Sequence, residues 1–340
     1  MQTRLPSLKD VARVAGVSVT TVSRLLNGSL DLPTPTRLRI ENAIRTLNYR
    51  PNPHARRLSL GRSDTIGLVV PDIANPFFAT LVSAIESEAD GRGLAVSLYA
   101  TLNRPGRERT YLDLIARNHV DGLIFVTNHP DDGELARLIN RTGKVVVVDE
   151  DVPNALAPKL FCDNFEGGRL AGLHLGEQGH GRVLFIGGRE EMISAKRRFE
   201  GLTAGLREAW RGRVDPIRYS GEYTIDYGRQ AAQRFLAEGR PATAIFASSD
   251  EIAIGLMEIF AANGISIPRD VSVVGFDNVG PLHLFNPPLT AIEQPVRAIG
   301  RRALEVLLET NWQDDTPFEG EELLPVKIVK RHSVAPLAKT

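Results

Sequence analysis

The 340-residue chain contains one cysteine, Cys162, with three methionines and two tryptophans. A lone cysteine can build neither an intrachain disulfide framework nor a cysteine-based zinc cluster, and it suits a reducing compartment. The expected role of Cys162 is that of a small buried hydrophobe. Long apolar runs are also missing: the best, such as Val145–Val148, are far too short to span a bilayer. Met1–Asp10 mixes charged and polar side chains without the apolar stretch of a secretory signal, so a cytoplasmic location is expected. The motifs of common catalysis are absent as well. No Gly-x-Gly-x-x-Gly follows a strand, no phosphate loop with Gly-Lys-Ser/Thr occurs, and there is no Gly-x-Ser-x-Gly elbow. The seven histidines show no metal-ligand spacing, and His180 and His283 read as surface or interlobe residues. Neither enzymatic activity, a cofactor nor a metal is expected.

Net charge is zero, with 41 Lys and Arg against 41 Asp and Glu, but the balance conceals an asymmetry. Residues 1–62 carry eleven basic side chains against Asp10, Asp31 and Glu41, whereas the remainder carries 30 against 38. A basic segment on an acidic body points to a polyanion at one end only. The length exceeds one ordinary core and suits two or three domains.

In the basic segment, Ser7 can cap a helix, with Asp10 completing a capping box. Leu8, Val11, Ala12 and Ala15 then recur at helical spacing, and Gly16 breaks the helix where glycine turns cheaply. Ser18 caps a second helix with Val22, Leu25 and Leu26 on one face and Val19, Thr20, Ser23, Arg24 and Asn27 on the other. Thr34-Pro35 opens a third, whose inward stripe is Ile40, Ala43, Ile44 and Leu47, Pro being favoured at the first helical position. Three short helices with a tight turn between the first two make a helix-turn-helix unit. The exposed face of the second helix, short side chains and one arginine, fits a DNA major groove. Beyond it, Asn52 can cap and Pro53 can start about two turns of helix, marginal alone in water. Leu58 beside Arg56 and Arg57 supplies an apolar wedge and phosphate contacts suited to a kinked minor groove.

From Thr65 onward, short β-rich runs alternate with helical stretches. Strands are expected at Ile66–Val70, Ala95–Tyr99, Gly122–Val126, Val145–Asp149, Val183–Ile186, Ile217–Tyr219, Ala244–Ala247 and Val271–Phe276, with a last one near Leu323–Val329. Between them lie helices such as Phe77–Arg92, Glu166–Gln178, Phe199–Trp210, Ile225–Ala237 and Glu251–Asn263. Unbroken apolar strands alternating with helices imply parallel sheets covered on both faces, and there are too many units for one open sheet. Two Rossmann-like lobes are expected, with crossings near Cys162–Glu166, Asn278–Glu293 and Asn311–Glu321. Ligands of such lobes bind at facing strand ends. Gly187-Gly188 reads as a turn near a ligand or lobe partner, Asp250 as a helix cap, and Arg197 as a solvent or salt-bridge residue.

The motifs Leu8-Lys9-Asp10-Val11-Ala12, Ala15-Gly16-Val17-Ser18, Thr21-Val22-Ser23-Arg24, Asn27-Gly28, Leu47-Asn48-Tyr49 and Pro51-Asn52 resemble the headpiece of the lactose/galactose repressor (LacI/GalR) family. The resemblance extends over essentially the whole chain. It implies a small all-α helix-turn-helix headpiece (1–50), a hinge helix and linker (51–63), and an α/β two-lobed, periplasmic-binding-protein-like sensor (64–340) that also dimerises. It implies operator contacts from Ser18, Val19, Thr20, Thr21, Ser23, Arg24, Asn27, Asn52, Ala55, Arg56 and Leu58, with Val19 and Thr20 discriminating operators and Arg24 on a guanine. For the sensor, Asp72, Phe77, Phe78, Asp149, Arg198, Tyr223, Ser249, Asp277 and Gln294 match positions that hold a sugar-like effector. Carboxylates and guanidinium groups take paired hydroxyls bidentately, and aromatic faces pack on sugar C–H surfaces. The expected function is a ligand-controlled repressor, acting as a homodimer on a pseudo-palindromic operator. A sugar receptor of a transporter is the competing reading, against which the basic headpiece and the missing signal argue. Two departures stand out: Ser249 replaces a frequent Asn, and Glu150 replaces a frequent Arg. The extra acid disfavours a phosphorylated effector by like-charge repulsion.

Overall fold

The computed structural model describes residues 6–26, 30–49, 63–116, 120–212, 214–312 and 320–337. The chain divides into two compact units between Ser63 and Asp64. Of the expected DNA-contacting residues, Asn27, Asn52, Ala55, Arg56 and Leu58 lie outside the described residues.

The first unit contains α1 (Leu8–Ala15), α2 (Val19–Leu26) and α3 (Thr34–Leu47). The Asp10 carboxylate accepts from the Ser7 backbone N–H at 2.9 Å and from the Ser7 hydroxyl at 2.6 Å, fixing the start of α1. Gly16 ends the helix in the left-handed region at φ 69°, donating its N–H to the Ala12 carbonyl. Ser18 accepts from the Thr21 N–H at 3.0 Å and so caps α2. α3 begins at Thr34 with Pro33 as the flanking residue, so Pro35 occupies the second helical position rather than the first. Val11, Ala12, Ala15, Val22, Ile40 and Ala43 form the core, with Leu8, Leu25, Leu26, Ile44 and Leu47 packed against it.

The second unit runs β1 (Thr65–Val70), α4 (Pro76–Asp90), β2 (Ala95–Ala100), α5 (Pro105–Ala116), β3 (Gly122–Val126), α6 (Glu134–Thr142), β4 (Val145–Val148) and β5 (Lys159–Cys162). It continues with α7 (Asn164–Glu177), β6 (Val183–Gly188), α8 (Ile193–Trp210), β7 (Ile217–Gly221), α9 (Ile225–Ala237), β8 (Ala244–Ala247), α10 (Asp250–Ala262) and β9 (Ser272–Asp277). A 3-10 turn (Leu282–Leu284), β10 (Thr290–Glu293), α11 (Val296–Glu309), β11 (Glu322–Leu324) and β12 (Lys327–Val329) complete it. Two six-stranded sheets result, ordered β11-β5-β4-β3-β1-β2 and β12-β10-β9-β8-β6-β7. All pairings are parallel except that of β12 with β10. The central strands β1, β3, β4, β6, β8 and β9 are buried along their whole length, whereas the edge strands β2 and β7 are half-exposed. Burial from both faces is why the central strands read as unbroken apolar runs.

The lobes are joined three times. The first crossing, at Asp163 between β5 and α7, falls where expected. The other two do not. Residues 278–293 stay in the second lobe, where β10 pairs with β9, and the chain crosses at Gln294-Pro295 before α11 packs on α4. The final stretch is two strands rather than one: β11 joins the first sheet beside β5 and β12 the second beside β10, so the crossing is Pro325-Val326. Three-residue strands carry too little pattern to be separated in sequence. Gly187 and Gly188 likewise end β6 rather than forming a turn; a Cβ on Gly188 would lie 2.5 Å from the Tyr223 ring, so glycine is what lets that ring settle there.

Candidate functional site

On α2, Ser18, Val19, Thr20 and Arg24 are exposed and Thr21 and Ser23 half-buried, while Val22 is fully buried. Thr21 is held by its side-chain hydrogen bond to Ser18 at 2.7 Å. The helix thus presents a row of small polar groups and a guanidinium on the side away from its core.

In the second unit, a cavity of about 340 Å³ lies at the C-terminal strand ends of both lobes. Asp72, Phe77, Phe78, Asp149, Arg198, Tyr223, Ser249, Asp277 and Gln294 all line it. Six are delivered by strand ends: Asp72 after β1, Asp149 after β4, Tyr223 after β7, Ser249 after β8, Asp277 closing β9 and Gln294 after β10. Phe77 and Phe78 stand on the first turn of α4, 5.2 Å apart edge-to-face, and serve both the wall and the core. α4 starts there because Asn75 accepts from the Phe77 N–H at 2.9 Å, with Pro76 at the head of the helix.

Arg198 is the buried cation of the cavity wall. Its Nε donates to Asn164 Oδ1 at 2.7 Å and its Nη1 to the Ser248 carbonyl at 2.6 Å, with Asp277 at 4.0 Å. Its guanidinium lies 3.7 Å from the Phe276 ring centroid and 5.7 Å from that of Tyr223. Its position depends on how closely α7 and α8 approach. Cβ atoms added at Gly168 or Gly201 would fall 2.1 Å from the Arg198 carbonyl and 2.0 Å from the Phe165 carbonyl. Asp277 accepts from Gln294 Nε2 at 2.6 Å and from the Asp250 N–H at 3.3 Å, and Asp149 and Asp277 both sit at positive φ, 74° and 89°. Such backbone conformations are uncommon outside glycine and cluster at functional sites. Burial pushes the Asp149 carboxyl up to about 7 against the pull of Arg198, and it raises Asp277 and Glu150 as well.

Residues 7–52 match the family described as bacterial regulatory proteins, lacI family, and residues 63–324 match the periplasmic binding proteins and sugar binding domain of the LacI family. The chain belongs to the LacI family. It is a transcriptional regulator and not an enzyme. The HTH-type transcriptional repressor PurR of Mannheimia succiniciproducens is 33% identical over 337 residues, covering 98% of this chain and 100% of that one. The lac repressor dimer bound to operator and the anti-inducer ONPF superposes with a TM-score of 0.85 at 28% identity, over 98% of this chain and 100% of that one. A LacI-family regulator from Enterococcus faecium with bound ribose gives 0.70 at 31% identity, over 81% and 100%.

In this LacI-family regulator several residues depart from their expected roles. Asp250 does not cap α10; Ser249 does, accepting from the Ile252 N–H at 3.2 Å. Asp250 instead accepts from the N–H groups of Asn278, Val279 and Gly280 at 3.2, 2.9 and 3.0 Å, tying down the loop after β9. His180 is neither a surface nor an interlobe residue: it is buried, contacting Thr243 and the Ala335 carbonyl at 3.0 Å each. His283 and Arg197 are exposed, as expected. Cys162 is buried, its thiol pushed up to about 12 by burial. Glu150, read as a source of repulsion toward ligand, accepts from the Ile193 N–H at 2.7 Å and the Ser194 hydroxyl at 2.5 Å, bridging the lobes. The sequence reading missed Asn164, Ser194, Asn103, Asn128 and Glu251. Only Glu150, as a departure beside Asp149, gave any signal. Among the described residues no helix is long and apolar enough to cross a membrane, and no group of three or more His, Cys, Asp or Glu could hold a metal ion.

Proposed function

We propose that the protein is a cytoplasmic repressor that binds a pseudo-palindromic operator as a homodimer, and whose hold on DNA is set by a small sugar or polyol in the interlobe cavity. The observation that carries this reading is the convergence of nine side chains, from both lobes, on one cavity at the facing strand ends. A ligand touching both lobes favours one lobe arrangement over the other, which is the condition for coupling to a distant site. Residues 1–50 act as the DNA-binding headpiece, 51–63 as the hinge, and 64–340 as the sensor and dimerisation domain. In the headpiece, the exposed Val19, Thr20 and Arg24 read bases from α2, with Ser18, Thr21 and Ser23 positioned around them. Asn27, Asn52, Ala55, Arg56 and Leu58 extend the contact surface. The operator-bound lac repressor dimer and the ribose-bound Enterococcus regulator support both halves of the proposal by likeness.

The test begins with operator selection from random duplexes, followed by a thermal-shift screen of sugars, polyols and glycosides. A ligand at 100 times its dissociation constant should stabilise the protein by about 2.7 kcal/mol. The hit should change operator affinity in the unmodified protein. Arg198→Lys keeps the charge but loses the fork that joins Asn164 and Ser248; it should bind operator normally and respond weakly. An equal response in both proteins would overturn the pocket assignment.

A further inference from the structure

The charge and hydrogen-bonding state of the cavity wall point to the class of molecule that fills it. Asp72, Asp149, Glu150, Glu251 and Asp277 line the cavity with one arginine, Arg198. Arg198 is already committed to Asn164, Ser248 and Asp277. Glu150 is committed to the start of α8. Asp72 accepts from the Ala74 N–H at 2.9 Å and Glu251 from the Ile225 N–H, but among the described residues no basic side chain pairs with Asp72, Asp149 or Glu251. No hydrogen bond among the described residues reaches the Asp149 carboxylate. Asp72 and Glu251 come from opposite lobes, and the Asp72 charge adds to burial in raising Glu251.

Two buried acceptors are also without donors. Gln294 is 5% exposed, and with its Nε2 given to Asp277, its Oε1 meets no partner. Asn128 gives its Nδ2 to Asn103 at 2.7 Å and leaves its buried Oδ1 unpaired. A buried acceptor left unpaired is costly, so these atoms require donors from a ligand or solvent.

The seats for an anion are taken. Four helices start at the cavity wall, and a helix start is where phosphate or carboxylate normally binds. Asn75 caps α4 (2.9 Å to the Phe77 N–H), Thr224 caps α9 (3.1 Å to Tyr227) and Ser249 caps α10 (3.2 Å to Ile252). The fourth, α8, is filled by Glu150 from the other lobe at 2.7 Å. An anionic ligand would find no free helix terminus and several carboxylates; a donor-rich cation finds acceptors.

We infer that the effector is a small polyhydroxylated primary amine, of the amino sugar or amino-polyol class, its ammonium in the field of Asp149, Asp72 and Glu251 and its hydroxyls donating to Gln294 and Asn128. This rests on the cavity being the effector site, as proposed above. Phe77, Phe78 and Tyr223 supply apolar wall for its C–H faces.

The test is titration calorimetry of the full-length protein with matched pairs: glucosamine against glucose, galactosamine against galactose, and glucamine against sorbitol. At about pH 7 the amine of at least one pair should bind about tenfold or more tighter than its neutral partner, the scale of one titration unit. Its binding should release protons as the raised carboxyls ionise, seen as a buffer-dependent heat, and should weaken about tenfold near pH 5. Asp149→Asn and Glu251→Gln should each erase the preference for the amine; the buffer dependence reads the same property in the unmodified protein if either variant folds poorly. A neutral member binding as tightly as its amine, a sugar phosphate binding better than both, or no amine binding overturns the inference. A neutral sugar that binds at least as tightly as its amine and shifts operator affinity overturns the charge assignment alone and leaves the repressor reading standing. An amine that binds without altering operator affinity does the reverse.

Discussion

Glu150 of the first lobe caps a helix of the second through Ser194, whose hydroxyl donates to the Glu150 carboxylate at 2.5 Å while the neighbouring Ile193 N–H donates at 2.7 Å. Both residues are buried. A carboxylate at a helix start gains from unpaired N–H groups and the helix dipole, which offset part of its loss of water. Because the partners belong to different lobes, the interaction acts as a latch between them.

Removing the latch should loosen the lobes. Glu150→Ala leaves the α8 start and Ser194 unsatisfied and should cost about 1–3 kcal/mol of stability in urea unfolding. Small-angle scattering should report a larger radius of gyration for the ligand-free variant. Unchanged scattering together with unchanged stability would show that the bridge contributes nothing to lobe closure.

Asp149 gives the ligand-free protein a pH dependence of stated sign. Its carboxyl is raised to about 7 in the folded chain from an ordinary value of 3.8, so the folded state binds the proton more tightly than the unfolded one. The stabilisation from protonation is therefore complete below the ordinary value and disappears as pH rises through about 7. Asp149→Asn removes an acid whose charge is penalised, and should raise the melting temperature near pH 8 but hardly near pH 3 (about one unit beyond each end of that window). Melting curves of the two proteins displaced equally at both pH values would refute this.

The α7–α8 crossing leaves no room for a methyl group. In Gly201→Ala the new Cβ would meet the Phe165 carbonyl at 2.0 Å, forcing the helices apart. A cost of about 1–3 kcal/mol is expected from overpacking. Since α8 carries Arg198 and α7 carries its partner Asn164, the variant should also lose effector response before it loses operator binding. Denaturant melts and operator titrations of one preparation check both.

Operator binding should be strongly salt-dependent. With roughly 6–10 phosphates neutralised per dimer, the log–log slope of affinity against salt should be steep, and a value shallower than about −3 would contradict the proposal. Arg24→Ala should lose about 1–3 kcal/mol and relax preference at one base position, while exchanging Val19 and Thr20 should alter the preferred half-site.

What the sequence by itself determined is what local pattern and charge dictate. The stripe Val11, Ala12, Ala15, Val22, Ile40, Ala43 is the observed headpiece core, because helical spacing and caps such as Ser18 act within a few residues. The central strands were legible because burial on both faces demands unbroken apolar runs. The short strands β5, β10, β11 and β12 were not separable, since three or four residues hold too little periodicity and their sheet is chosen by distant partners. Nine cavity residues could be named from family resemblance, but their relations could not. Only tertiary structure decided that Glu150 reaches from the cavity wall to the start of α8, that Asp250 holds the 278–280 loop, and that Arg198 bridges Asn164 to Ser248. Each of these contacts joins residues 28 or more positions apart, and in each the side chain goes where a buried charge finds donors or acceptors, which no local pattern encodes.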